Sequence, residues 1–213
     1  MALNNLIEGI TWRIKQGLPG EEAQYKMAPA SRPKSDFYLK NKIMPKMGGV
    51  LILLYELNDE IHLALTLRKE YNGVHSKQVS FPGGKYEDQD KNLLNTALRE
   101  AQEEVGIKIN EIKIITKLTD LYIPPSNFLV SPYLGFSLER PIFKIDEIEV
   151  EQLIEVPINK LLDKRSQVKK EIDLQDGSKM NVPCYLIEDK IIWGATAMII
   201  SEFLELCDGF LIE

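Results

Sequence analysis

The chain has 213 residues, enough for one well-buried domain with a terminal extension. Its 26 Lys and Arg against 32 Asp and Glu give a net charge of −6, which argues against holding nucleic acid by bulk phosphate neutralisation but leaves small anionic substrates open. Hydrophobic residues at 44% and charged residues at 27% are ordinary for a globular protein, and no apolar run approaches the ~20 residues of a membrane span.

Leu3, Leu6, Ile7, Ile10 and Ile14 recur at helical spacing, which predicts an amphipathic first helix stopped by Gly17, Pro19 and Gly20. This opening stretch carries acids and amides where a secretory signal needs a continuous apolar core, so a cytoplasmic location is expected. Cys184 and Cys207 have no metal-ligand spacing and read as reduced, buried thiols. Residues 18–46, rich in Pro, Lys and Ser, read as an irregular surface arm and a candidate homodimer contact. Lys34, Lys40, Lys42 and Lys46 of that arm read as solvated rather than as facing an anionic ligand. The helix and arm, 1–46, would precede a globular domain over 47–213.

From Gly48 the pattern changes. "GGVLILLYEL" predicts a buried strand, "NDE" a turn, "IHLALTLR" a second strand, and "QVSF" a short strand running into Gly83-Gly84. Asp88 or Asp90 is expected to cap a helix reaching Val105, with Gly106 as its C-terminal stop. "IKIITKL" and "FLVSPYLGFSL" predict further strands, and "EVEQLIEVPI" a strand leading into a short helix that opens at Pro157. Residues 167–188 predict a hairpin turning at Asp176-Gly177, and "TAMIISEFLELC" a final helix. Helices and strands are interspersed without regular alternation, so a mixed sheet covered by helices is expected. His62, Trp193 and the segment Tyr122-Ile123-Pro124-Pro125 read as structural, outside any site.

The stretch 93–105 concentrates acid: Glu100, Glu103 and Glu104 fall on one side of a helix, beside an apolar stripe of Leu94, Leu98, Ala101 and Val105. Like charges at these spacings repel. The residues alone leave two readings open, a solvated face or a site for a hard divalent cation such as Mg²⁺. In the second, Glu100 and Glu104 can ligate one ion from successive turns, and Glu103 can join a second ion or orient a water.

The stretch "GGKYEDQDKNLLNTALREAQEEVGI" resembles the Nudix box, G-x5-E-x7-R-E-U-x-E-E-x-G-U, with Arg99 to Ile107 fitting its second half. The first half differs: the acid after Gly84 is Asp90, and eight residues precede Arg99. That spacing is similar to the Nudix subgroup that cleaves coenzyme A, as are Leu65-Thr66-Leu67-Arg68, "HSKQVSFPGG" from His75, and "IIWGATAMII" near the C-terminus. Lys77 and Asn72 stand where that signature has glycine and leucine. The resemblance covers residues 48 to 206 and implies an α/β/α sandwich of the α+β type around a mixed sheet. It implies a hydrolase that uses Mg²⁺ or Mn²⁺ to cleave a nucleoside diphosphate compound, coenzyme A or a derivative foremost. ADP-ribose, a dinucleotide, or a non-catalytic nucleotide sensor are the alternatives.

In the roles so implied, Glu100 and Glu104 are the main metal ligands, Glu103 a further ligand or water-orienting base, and the Gly83 carbonyl completes the shell. Arg99 pairs with Asp90 or Glu87 and steadies the loop. Arg68 and His75 reach phosphate, with Gln78, Ser80 and Lys77 as further polar contacts. Glu149 is a secondary candidate for metal or base chemistry.

Overall fold

The computed structural model describes residues 2–69, 78–174 and 177–210. Helix α1 (Ala2–Ile14) buries Leu3, Leu6 and Ile10. The following segment departs from the irregular arm expected of it, because it contains helix α2 (Gly20–Tyr25) and a short helix α3 (Phe37–Lys40). Ala23, Gln24 and Met27 are buried there, so this stretch contributes to the interior as well as crossing the surface. Its lysines behave as solvated groups, Lys34 over the Tyr25 ring and Lys40 paired with Asp36 at 2.7 Å.

Strands β1 (Lys46–Leu57) and β2 (Glu60–Arg68) are joined by Asn58 and Asp59, both with positive φ, the conformation of a tight hairpin turn. β1 and β2 pair antiparallel from Leu54↔Leu63 to Leu57↔Glu60 and then part company. The segment holding β3 (Val79–Ser80) and β4 (Gly83–Lys85) takes up the freed edges, β3 on Thr66 and Leu67, β4 on Gly48 to Val50. Gly83 and Gly84 are thereby fixed where the two long strands diverge.

Helix α4 (Leu93–Val105) follows. Asn92, not Asp88 or Asp90, is its N-cap, accepting from the Asn95 N–H at 2.9 Å. Asp88–Asp90 form a separate 3₁₀ turn, which frees the Asp90 carboxylate for another partner. Gly106 ends the helix in the left-handed conformation, as predicted. Strands β5 (Lys113–Lys117), β6 (Leu121–Ile123), β7 (Phe128–Phe136) and β8 (Val150–Pro157) complete an eight-stranded sheet. The β1·β7 pair is parallel and the others are antiparallel, so the sheet is mixed as expected. Helix α5 (Ile158–Leu162) opens after Pro157. β9 (Gln167–Asp173), β10 (Lys179–Ile187) and β11 (Lys190–Trp193) form a second, three-stranded sheet. Helix α6 (Gly194–Cys207) closes the fold.

Alternation along β1 sends successive side chains to opposite faces. Leu51, Leu53 and Tyr55 pack with Ala97, Ala101 and Val105 of α4, while Ile52 and Leu54 pack with α1 and α6 on the other side. Helices therefore flank the mixed sheet on both faces, an α/β/α sandwich. The stripe of α4 that faces the sheet runs through Ala97 rather than Leu94 and Leu98, which are only half-buried. His62 is buried, with Nδ1 at 3.0 Å from the Glu60 carbonyl, in keeping with a structural role. Cys184 and Cys207 are free and buried. Among the described residues no helix is long and apolar enough to cross a membrane.

Glu202 of α6 is wholly buried and ties the N-terminal segment to the core. It accepts from Gln24 Nε2 at 2.8 Å, Thr119 Oγ1 at 2.6 Å and the Gly20 and Thr119 N–H groups at 3.2 Å. Glu202→Ala would strand these donors together, so a loss of about 3–5 kcal/mol is expected. Urea unfolding of the two proteins measures it; a loss below about 1 kcal/mol would mean that the network contributes little net stability.

Candidate functional site

Two glycine pairs let α4 lie directly on the sheet. A Cβ on Gly49 would stand 2.3 Å from the Leu93 carbonyl oxygen, and one on Gly84 would stand 2.4 Å from the Glu100 carboxyl carbon. Gly49 pairs with Gly84 across β1 and β4, so this side-chain-free patch spans both strands. The Glu100 carboxylate consequently rests on the backbone of Gly84.

The three helix acids do not share one environment, contrary to the expectation that they point to one side. Glu104 is 3% exposed and accepts from the Gly83 N–H at 3.1 Å and Arg68 Nη1 at 3.3 Å. Its pKa is pushed up to about 7, chiefly by burial; Arg68 and the Gly83 N–H oppose that rise, and Glu100 and Glu149 add to it. Glu100 is also raised by burial, with Arg99 opposing and Glu103 and Glu149 adding repulsion. Glu103 turns outward instead, 57% exposed, because Arg99 one turn earlier holds it at 2.7 Å.

Arg99 organises the loop before the helix. Its Nε donates to Asp90 Oδ1 at 2.7 Å and its Nη2 to Asp90 Oδ2 and the Lys85 carbonyl, each at 3.1 Å. The guanidinium also contacts Glu100 at 2.9 Å. Of the two partners read from the sequence, Asp90 is the one used. Glu87 instead closes a capping box with Asp90 over the 3₁₀ turn. Asp90, buried, is held down at about 2, first by its bond from Arg99, then by the Glu87 N–H and the Thr96 hydroxyl.

Glu149 is exposed, yet the fold brings it to this cluster: its carbonyl accepts from the Lys69 N–H at 3.0 Å and the next residue, Val150, lies opposite Arg68 in β8. Hence its charge is felt by both Glu100 and Glu104. Arg68, Gln78 and Ser80 stand together on the wall of a cavity of about 1340 Å³ that also takes in Gly83 and Gly84. His75, Lys77 and Asn72 lie outside the described residues.

The family model of the NUDIX domain matches residues 45–173. The chain belongs to the Nudix family. A Yersinia enterocolitica protein called uncharacterized Nudix hydrolase NudL is 39% identical over 145 residues, 67% of this chain and 72% of that one. Its Yersinia pestis counterpart is 36% identical over 143 residues, 67% and 71% of the two chains. Among solved structures, the Nudix hydrolase RenU of M. smegmatis superposes with a TM-score of 0.54 at 11% identity, covering 84% of this chain and 92% of that one. The NUDIX domain of Shewanella oneidensis NrtR, crystallised with ADP ribose, gives 0.51 at 13% identity, covering 81% and 98%. At such identities these two speak for the fold. The molecule is thus a Nudix hydrolase, a pyrophosphohydrolase of the α+β class.

Nudix hydrolases generally use a divalent metal ion, and the donor set fits one. Glu100, Glu104 and Glu149 are hard oxygen donors, with Glu149 adding to the rise of the other two and Glu100 to that of Glu104, over a glycine backbone that no side chain blocks. As the side chains stand, no three acids among the described residues converge closely enough to enclose an ion. The reason is visible in the ion pairs, since Arg99 draws Glu100 and Glu103 and Arg68 draws Glu104.

Sequence reasoning missed the rest of the cavity wall. Trp193, Ile123, Pro124 and Pro125, set aside as core, line the cavity, and so do Arg32 and Pro33 of the N-terminal segment. These residues converge only through tertiary packing of segments far apart in the chain. Ile123–Pro124 at the end of a strand and Trp193–Gly194 before a helix were the available signals.

Proposed function

We propose that the protein is a metal-dependent diphosphatase that cleaves coenzyme A or a derivative to 3′,5′-ADP and a 4′-phosphopantetheine product. The observation that carries this reading is the placement of Glu100 and Glu104 against Gly83-Gly84, on the border of the 1340 Å³ cavity. The "LTLR" and "FPGG" segments flanking that mouth favour coenzyme A over other diphosphates.

Glu100, Glu104 and the Gly83 carbonyl would hold Mg²⁺ or Mn²⁺, with Glu149 as an additional donor. When bound, the ion supplies positive charge opposite the diphosphate oxygens and acidifies a nearby water. Glu103 orients the attacking water and accepts its proton, its carboxylate fixed in direction by Arg99. Water oxygen adds to one phosphorus, the bridging P–O bond breaks, and the bridging oxygen leaves with the other phosphate. Arg68 exchanges its contact with Glu104 for the substrate phosphate, where a planar guanidinium gives two parallel hydrogen bonds. Arg99 touches no substrate and keeps the Lys85 loop against α4.

The test is a product assay with Mg²⁺ or Mn²⁺ on coenzyme A, dephospho-coenzyme A, ADP-ribose, NADH and a dinucleoside polyphosphate. Release of 3′,5′-ADP from coenzyme A, faster than cleavage of the others, is the expected result. Faster cleavage of another member would overturn the substrate and keep the chemistry, whereas no cleavage of any would move the reading to a nucleotide sensor.

A further inference from the structure

Three residues that line the cavity each carry a buried polar atom with no hydrogen-bond partner among the described residues: Arg32 Nε, Arg68 Nε and Ser126 Oγ. All three can donate. Among the described residues, those lining the cavity include three cations, Arg32, Arg68 and Lys85, against one carboxylate, Asp173. Arg68 already answers to Glu104. Arg32 has no carboxylate partner among the described residues; it donates to the Tyr122 carbonyl through Nη2 at 2.6 Å. Burial pushes its pKa below the ordinary value, partly offset by the neighbouring Tyr25 hydroxyl. A half-buried guanidinium with an orphaned donor is costly unless an anion completes it.

The chain around Arg32 is built to hold it still. Its own N–H donates to the Pro29 carbonyl at 2.9 Å, and the Tyr25 hydroxyl donates to the Pro33 carbonyl. Ser126 sits in the 3₁₀ turn that follows β6, directly after the strand that carries Tyr122. The sheet gives the distance to the carboxylates. Gly84 pairs with Gly49 of β1, Gly49 with Ser131 of β7, and β7 at Val130 with Leu121 of β6. Three inter-strand spacings, about 14 Å, therefore separate Gly84 from the strand on which Arg32 is anchored. A diphosphate, one sugar and the contact distances at each end bridge that span.

We propose that Arg32 and Ser126 form an anion subsite that takes a phosphate monoester on the substrate's ribose, remote from the diphosphate that is cleaved. This rests on the diphosphatase reading for the identity of the substrate, but the subsite itself can be tested without turnover. Calorimetric titration of the full chain with 3′,5′-ADP and with 5′-AMP, in chelator and at fixed salt, compares ligands that differ in one phosphate. The parent protein should bind 3′,5′-ADP at least about tenfold more tightly. Arg32→Gln should erase that preference, and Arg32→Lys should retain part of it, since an ammonium keeps the charge but not the fork. Ser126→Ala, which removes a single hydroxyl, should reduce the preference in a folded protein and so covers the case in which Arg32→Gln unfolds. Equal binding of the two nucleotides by the parent, an undiminished preference in the variants, or an equal weakening of both ligands would overturn the subsite. If coenzyme A is not cleaved but Arg32→Gln still abolishes the preference, the substrate reading fails and the subsite stands.

Discussion

Glu104→Gln is expected to fold, to lose turnover by at least about a hundredfold, and to melt no lower than the parent above neutral pH. The parent holds this carboxylate almost wholly buried, with its pKa pushed up to about 7 by desolvation more than Arg68 and the Gly83 N–H can offset. In the unfolded chain the group titrates near the usual glutamate value of about 4.3. Native protein therefore binds the extra proton between those two values. The contribution is fully present below about 4.3 and is lost as pH rises through about 7. Glutamine stays neutral throughout and can still accept from Gly83. In metal-free buffer with chelator, the melting temperature of Glu104→Gln relative to the parent should be close to level at pH 5 and higher at pH 8. Added Mg²⁺ should then raise the parent's melting temperature and leave the variant's nearly unchanged. Such a site spends folding stability on a charge kept for function. Undiminished turnover in both Glu104→Gln and Glu100→Gln would sink the assignment of these two carboxylates.

The parts of the fold that could be read from the sequence are those governed by neighbours in the chain. The continuous apolar run of β1, the alternating character of β2, the helical period of α1 and α4, and Gly106 as a stop depend on local geometry, and each is where it was expected. Misreadings cluster where a partner lies far away in sequence. Asp90 looks like a helix cap until Arg99, nine residues on, claims its carboxylate and leaves the cap to Asn92. The grouping of Glu100 with Glu104 follows from helix spacing. The diversion of Glu103 does not, because it depends on Arg99 choosing among four acceptors. Gly48 and Gly49 read as the start of a strand, and nothing local announces that α4 needs the missing side chain of Gly49. Short elements such as β6 and β11 carry too few residues to show a period. The cavity was the least legible feature, since Arg32, Pro124 and Trp193 meet only once three separate segments have packed.

Breaking the Asp90–Arg99 pair should cost about 3–5 kcal/mol in either Asp90→Ala or Arg99→Ala, a fall in melting temperature on the order of 10 °C for a chain of this size. The Asp90 side chain is 1% exposed and that of Arg99 18%, so water cannot replace what is removed. Truncating Asp90 also leaves the Glu87 N–H without its acceptor and the Thr96 hydroxyl with only the longer bond to the Asn92 carbonyl, at 3.4 Å. The pH dependence separates the ion pair from simple loss of packing. Asp90 is held at about 2 in the folded protein, against about 3.9 in the unfolded chain. Its stabilisation is present above about pH 4 and is lost as pH falls toward 2. Asp90→Asn keeps the shape and gives up the charge, so the stability gap between parent and variant should be wide from pH 5 to 7 and narrow steadily below pH 4. Urea unfolding across that range measures the gap directly. A gap that stayed constant down to pH 2.5 would assign the effect to packing rather than charge. Arg99 also fixes the Lys85 carbonyl and the direction of Glu103, so both Ala variants should lose turnover even at temperatures where they remain folded. A variant that is destabilised as expected but turns over normally would show that the loop before α4 is positioned without this pair.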